Sequence, residues 1–272
     1  MRNLDETTIT QAVLAYNRGT GDARLCEVMT SLVQHLHAFA RDIKLTEAEW
    51  RGGIDFLAKV GAVPPDRHEF VLLSDVLGLS TLVLAQNERK PKGCTQATVF
   101  HVAPTPAVLV HDLGADINPQ LGGPKGYVQG TVRDDKGAPV PYAEIHIRVA
   151  GDCALLQADD RGHYHFSTSL PGSQQVRHEG PVNQLLGALN RHAWRPAHLE
   201  FSISASGYQR LTTQVFREGD PYLDSDAIFG VRPSLITHWQ CQPAGATPDG
   251  GHSDEVFYTL AFDFVLARQP AA

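Results

Sequence analysis

From Ala23 onward, apolar residues return every three or four positions: Leu25, Val28, Met29, Leu32, Leu36, Phe39, Ala40 and Ile43. That spacing lays one apolar stripe along a helix. Thr46 with Glu49 three places later forms a capping box, so a second helix starts there and runs through Trp50, Ile54, Phe56 and Leu57 toward Gly61, before Pro64-Pro65 interrupts it. Phe70 to about Gln86 is a third helical stretch, apolar on nearly every side in Leu72, Leu73, Val76, Leu77, Leu79, Leu82 and Val83. A helix of that kind is expected to lie against a second layer or a partner subunit.

From about Thr95 the pattern changes to short runs separated by Gly, Pro and Asp, which predicts strands of a β-sandwich. The candidates are Tyr127 to Val132, Tyr142 to Val149, Gly162 to Thr168, His198 to Ala205, Leu211 to Phe216 and Tyr258 to Val265, with a hairpin turn at Asp134-Asp135-Lys136-Gly137. Arg89-Lys90-Pro91-Lys92-Gly93 reads as a linker. The expected organisation is therefore an N-terminal helical region over residues 1–93 and a β-sandwich over 94–272, mainly β in class.

A chain of 272 residues, 42% hydrophobic, can bury a sizeable core. The four cysteines, Cys26, Cys94, Cys153 and Cys241, lie far apart without a CxxC spacing and read as reduced thiols. No run reaches the roughly eighteen apolar residues of a membrane span, and the first residues lack the apolar run of a signal peptide, so a cytoplasmic location is expected. A net charge of −7 without a Lys/Arg cluster argues against a nucleic-acid partner.

Candidate chemistry centres on Arg195-Pro196-Ala197-His198-Leu199-Glu200-Phe201. On a strand, residues two apart share a face, so His198 and Glu200 are expected to project into one cavity. This segment resembles the iron-binding strand of the intradiol ring-cleavage dioxygenases (catechol and hydroxyquinol 1,2-dioxygenases), with Glu200 in place of a second histidine. The likeness, closest to the hydroxyquinol branch, extends to Leu72-Leu73-Ser74-Asp75-Val76-Leu77-Gly78, Gly137-Ala138-Pro139-Val140, Asp160-Arg161-Gly162-His163-Tyr164, Gly180-Pro181-Val182 and Phe229-Gly230-Val231. It implies an intradiol-type sandwich with helices that form a homodimer contact and hold a lipid there. It also implies an aromatic small-molecule substrate facing Arg195 and lined by Leu72, Asp75, Val99, Phe100, His101 and Val102.

The resemblance further implies ferric iron held by two tyrosines and two histidines, and here the sequence departs from it. The first tyrosine would fall in Gly151-Asp152-Cys153-Ala154-Leu155-Leu156-Gln157, which has none; Gln174 stands where the second belongs; Tyr164 matches a packed tyrosine. His198 remains. A ferric tyrosinate centre is thus not expected, and three readings stay open. His198 and Glu200, with His101 or His178, would make a site for ferrous iron or another divalent metal. Alternatively, His198 and Glu200 form a metal-free acid/base couple, provided a pKa is brought near neutrality. The third reading is a non-catalytic partner or aromatic-ligand-binding protein. Arg191 and His192 are read as a structural turn, and His163 with His165 as a same-face pair on a strand.

Overall fold

The computed structural model describes residues 3–99, 108–149, 151–176 and 179–269. Two compact units divide the chain, Met1–Lys59 and Val60–Ala272.

In the first unit α1 (Ile9–Asn17) packs on α2 (Ala23–Asp42), and α3 (Glu47–Ala62) begins. Asp22 caps α2 by accepting from the Leu25 amide at 2.9 Å. The capping box forms as its spacing demands: Glu49 Oε2 accepts from the Thr46 amide at 2.9 Å, and Thr46 Oγ1 from the Glu49 amide at 3.3 Å. Arg41 ties α2 to α1 by donating to Thr10 Oγ1 at 2.6 Å and to the Glu6 carbonyl at 2.7 Å. The apolar stripe of α2 stays in the open, with Leu32, Leu36 and Phe39 each more than half exposed.

The second unit carries α4 (Glu69–Val76), α5 (Leu79–Asn87) and α6 (Pro181–Ala188). Its strands are β1 (Leu109–Val110), β2 (Lys125–Asp134), β3 (Glu144–Val149), β4 (Asp152–Gln157), β5 (His163–Ser169), β6 (Gln174–Gln175) and β7 (Trp194–Arg195). They continue with β8 (His198–Ser204), β9 (Leu211–Arg217), β10 (Ile236–Thr237), β11 (Gln240–Gln242), β12 (Gly245–Ala246), β13 (His252–Ser253), β14 (Phe257–Ala261) and β15 (Phe264–Leu266). One sheet runs β1-β4-β3-β8-β9-β10; the facing sheet runs β11-β14-β2-β15, with β5 also on β2. Val128, Tyr164 and Phe166 from one sheet and Ile145, Ile147, Leu199, Phe201 and Ile203 from the other fill the space between, each at most 2% exposed. Phe201 and Phe264 meet across it at 4.8 Å between ring centroids.

Three expectations change. The apolar run from Phe70 is two helices, because Gly78 takes a left-handed φ of 74° and the chain bends there. The segment after Gly151 is a strand, β4, which pairs with β3 and buries Ala154 and Leu156. Tyr258 to Val265 is split into β14 and β15, both parallel to β2, with the break at Phe262-Asp263, where the exposed Asp263 carboxylate accepts from the Thr131 amide at 2.8 Å. No single helix among the described residues is long and apolar enough to cross a membrane.

Candidate functional site

Alternation along β8 sends Leu199, Phe201 and Ile203 into the sandwich core and sets His198, Glu200 and Ser202 on the opposite face. Strand pairing then fixes their neighbours. Glu200 lies between Arg148 of β3 and Gln214 of β9. The short ribbon of β6 and β7 places Gln174 opposite Arg195.

His198 is fully enclosed and donates from Nδ1 to the Pro196 carbonyl at 2.7 Å. A carbonyl only accepts, so the proton sits on Nδ1 and Nε2 presents its lone pair. Two donors address Nε2: Arg195 Nη1 at 3.2 Å and the Gln174 amide at 3.1 Å. Glu200 Oε1 stands 3.5 Å from the same nitrogen and accepts from Gln214 Nε2 at 3.0 Å. Glu200 Oε2 is buried without a hydrogen-bond partner among the described residues and has Arg148 Nε at 3.9 Å.

Arg195, 6% exposed, is clamped by Asp226 through Nε at 3.0 Å and Nη2 at 3.2 Å, while Nη2 also donates to Gln214 Oε1 at 2.8 Å. With the contact to His198, four of its five N–H groups have partners among the described residues, and one on Nη1 has none there. Asp226 in turn accepts from the Ile228 amide at 3.3 Å and the Gly230 amide at 2.9 Å. A Cβ on Gly230 would come within 3.0 Å of Arg195 Nη2, so the loop closes on the guanidinium only with glycine there.

Burial pushes the Glu200 carboxyl up, but the hydrogen bond and charge that His198 supplies once Nε2 is protonated, together with the guanidinium groups of Arg195 and Arg148, outweigh it and hold the pKa below the usual carboxylate range. Asp226 behaves alike, burial being overcome by the charge and hydrogen bonds of Arg195 and by two backbone amides. Glu200 is therefore an anion at neutral pH and a weak base. The acid/base reading then places the proton-accepting role on His198.

The remaining expected residues fall as follows. Leu72 and Asp75 are buried on α4, and Val99 is buried as well. Phe100, His101, Val102 and His178 lie outside the described residues. Tyr164 is sealed in the core, its hydroxyl donating to the Phe262 carbonyl at 2.6 Å. Arg191 donates to the Val76 and Ala227 carbonyls, and His192 bonds Ser225 and the Trp194 amide, a structural turn for both. His163 and His165 share the outer face of β5. Gln214 and Asp226 were not singled out in the sequence; the signal for Asp226 is its place four residues before Gly230. Among the described residues no group of three or more His, Cys, Asp or Glu side chains is placed to hold a metal ion.

Two family models match the chain, the catechol dioxygenase N terminus over residues 22–95 and the dioxygenase domain over residues 109–268. The chain is 44% identical to a 6-chlorohydroxyquinol 1,2-dioxygenase of Cupriavidus pinatubonensis, over 98% of this chain and 99% of that one. It is 40% identical to a hydroxyquinol 1,2-dioxygenase of Nocardioides simplex, over 96% and 95%. The crystal structure of hydroxyquinol 1,2-dioxygenase from Pseudomonas putida DLL-E4 superposes with a TM-score of 0.87 at 34% identity, covering 97% of this chain and 99% of that one.

Proposed function

Because the chain belongs to the intradiol ring-cleavage dioxygenase family, we propose that it acts on a hydroxylated aromatic of the hydroxyquinol class and moves a proton on that ring at His198, without a ferric two-tyrosine, two-histidine centre. One observation carries this reading: Nε2 of His198, the atom that would face a metal, is addressed by the Arg195 guanidinium and the Gln174 amide. Around it the donor set is one imidazole, one carboxylate and one amide. Ferric iron, which would supply oxygen chemistry to a bound catechol, is held by anionic phenolates, and these residues do not fit it.

The division of labour follows from the contacts. Arg195 stays charged and aims its free N–H at a phenolate oxygen. When the keto tautomer of the ring loses its C–H proton, the electron pair of that bond passes to the oxygen, the Arg195 and Gln174 donors now spent on Nε2 turn from it, and Nε2 takes the proton. Glu200, ionised and 3.5 Å away, stabilises the imidazolium that results. Positioned proton transfer of this kind contributes roughly 10²–10⁴-fold.

The test uses hydroxyquinol in D2O under air, following ring C–H exchange by NMR and oxygen with an electrode. Exchange without oxygen uptake, lost about 10²–10⁴-fold in His198→Gln, is expected. Oxygen uptake equal to ring loss with one metal per chain would establish instead a ring-cleaving enzyme with a rebuilt metal site. Binding with neither exchange nor uptake would establish a ligand-binding protein. The exposed stripe of α2 supports a homodimer formed through the N-terminal helices. The four free thiols support a cytoplasmic setting.

A further inference from the structure

The ribbon that carries Gln174 and Arg195 is only two residues long on each strand. A two-stranded ribbon of that size does not hold its own shape, so something outside it fixes where the Gln174 amide stands relative to His198. The group in that position is the carboxylate of Asp220, on the loop that follows β9. Its Oδ2 accepts from Ser173 Oγ at 2.6 Å and from the Ala197 amide at 3.0 Å. Ser173 immediately precedes Gln174, and Ala197 immediately precedes His198. One oxygen atom therefore ties together the two stretches of chain from which the amide and the imidazole project. The other oxygen, Oδ1, accepts from the Tyr222 amide at 2.9 Å, which keeps the carboxylate from rotating.

The same loop meets the ribbon on its other strand. The Tyr222 ring stacks on Trp194, with 5.4 Å between centroids and 7° between planes, and the Ala227 amide donates to the Trp194 carbonyl at 3.1 Å. Further along the loop, Asp226 clamps Arg195. Both donors on His198 Nε2 are thus placed from one short stretch of chain. Asp226 acts by bonding the guanidinium itself, whereas Asp220 acts through the chain neighbours of the groups it orients.

We infer that Asp220 is a positioning residue for the His198 site: by holding Ser173 and Ala197 on one oxygen it sets the separation of Gln174 Nε2 from His198 Nε2, 3.1 Å here, and so how far the imidazole lone pair is engaged before a substrate arrives. The inference rests on the proposed function in one respect, that His198 is the base. The engagement of its lone pair is a property of the free protein.

The test follows the His198 Nε2 resonance by nitrogen NMR of protein carrying isotope-labelled histidine, at about pH 8, where an ordinary histidine is neutral. Its loss in His198→Gln assigns it. An unprotonated imidazole nitrogen moves downfield when it loses a hydrogen-bond donor, and Gln174→Met sets the displacement that loss of the amide produces. Ser173→Ala is expected to give most of that displacement, while Ser173→Thr, which keeps the hydroxyl, leaves the resonance at its wild-type position. Combined with Gln174→Met, Ser173→Ala adds nothing, because its effect runs through the amide. Asp220→Ala displaces the resonance at least as far as Ser173→Ala. Circular dichroism confirms that each variant folds, and the serine variants carry the test where Asp220→Ala does not. A resonance unmoved in Gln174→Met, or in folded Ser173→Ala or Asp220→Ala, overturns the inference. So does the same displacement with threonine, or an equal further displacement in the Gln174→Met background. NMR reads the free protein and not turnover, so failed deuterium exchange with these displacements intact refutes the proposed reaction alone.

Discussion

Replacing Asp226 with asparagine tests the charge clamp on Arg195 with almost no change of shape. The carboxylate accepts four hydrogen bonds, from Arg195 Nε and the Ile228 amide on Oδ1 and from Arg195 Nη2 and the Gly230 amide on Oδ2. An asparagine can satisfy only one of these oxygen positions; its NH2 then faces two donors. Losing two hydrogen bonds at about 1.5–3 kcal/mol for those to charged groups gives a cost of about 3–6 kcal/mol, which overlaps the usual penalty of about 3–5 kcal/mol for breaking a buried ion pair. Urea unfolding followed by circular dichroism measures it. The pH dependence supplies an independent check. The folded-state pKa of Asp226 lies below its ordinary value, so the stability it contributes is full above the ordinary pKa and disappears as pH falls through the folded one. Asp226→Asn therefore shows a shallower loss of stability below about pH 4 than the wild type. A cost under about 1 kcal/mol, or an unchanged acid limb, would refute the claim that this carboxylate holds the guanidinium.

Three further outcomes are expected. Gly130→Ala unfolds the second unit, because its Cβ would lie 1.8 Å from the Phe262 carbonyl oxygen; a thermal melt within about 1 kcal/mol of wild type would contradict that packing. Loaded with ferric salt, the protein stays colourless, and a visible phenolate-to-iron band with one iron per chain would overturn the assignment of donors. Leu32→Glu, in the exposed stripe of α2, shifts the mass by light scattering from dimer to monomer; an unchanged mass removes these helices from the contact.

The fold was legible wherever one local rule decided. The capping box at Thr46 and Glu49 and the period-two strand of His198 to Ser204 appear as spacing predicts, because neither depends on distant partners. The break at Gly78 was obscured by the apolar residues on both sides of it, which carry helical periodicity across a glycine whose φ only tertiary structure fixes. β4 lies where the resemblance puts a ligand tyrosine, and its short alternation of Ala154 and Leu156 marks a strand only once β3 pairs with it. In the site, the shared face of His198 and Glu200 follows from strand geometry alone. Gln214 and Asp226 come from segments 14 and 31 residues away from the groups they bind, a relation that only the pairing of β8 with β9 and the loop after it create. The depressed pKa of Glu200 was equally out of reach, since it depends on His198 and on two guanidinium groups from different strands.

Gln174 and Arg195 face each other across the β6–β7 ribbon and both address Nε2 of His198. The ribbon ladder joins their backbones, so a shift of the ribbon carries the amide and the guanidinium together. A movement of this two-residue clasp would therefore take both donors away from the imidazole at once.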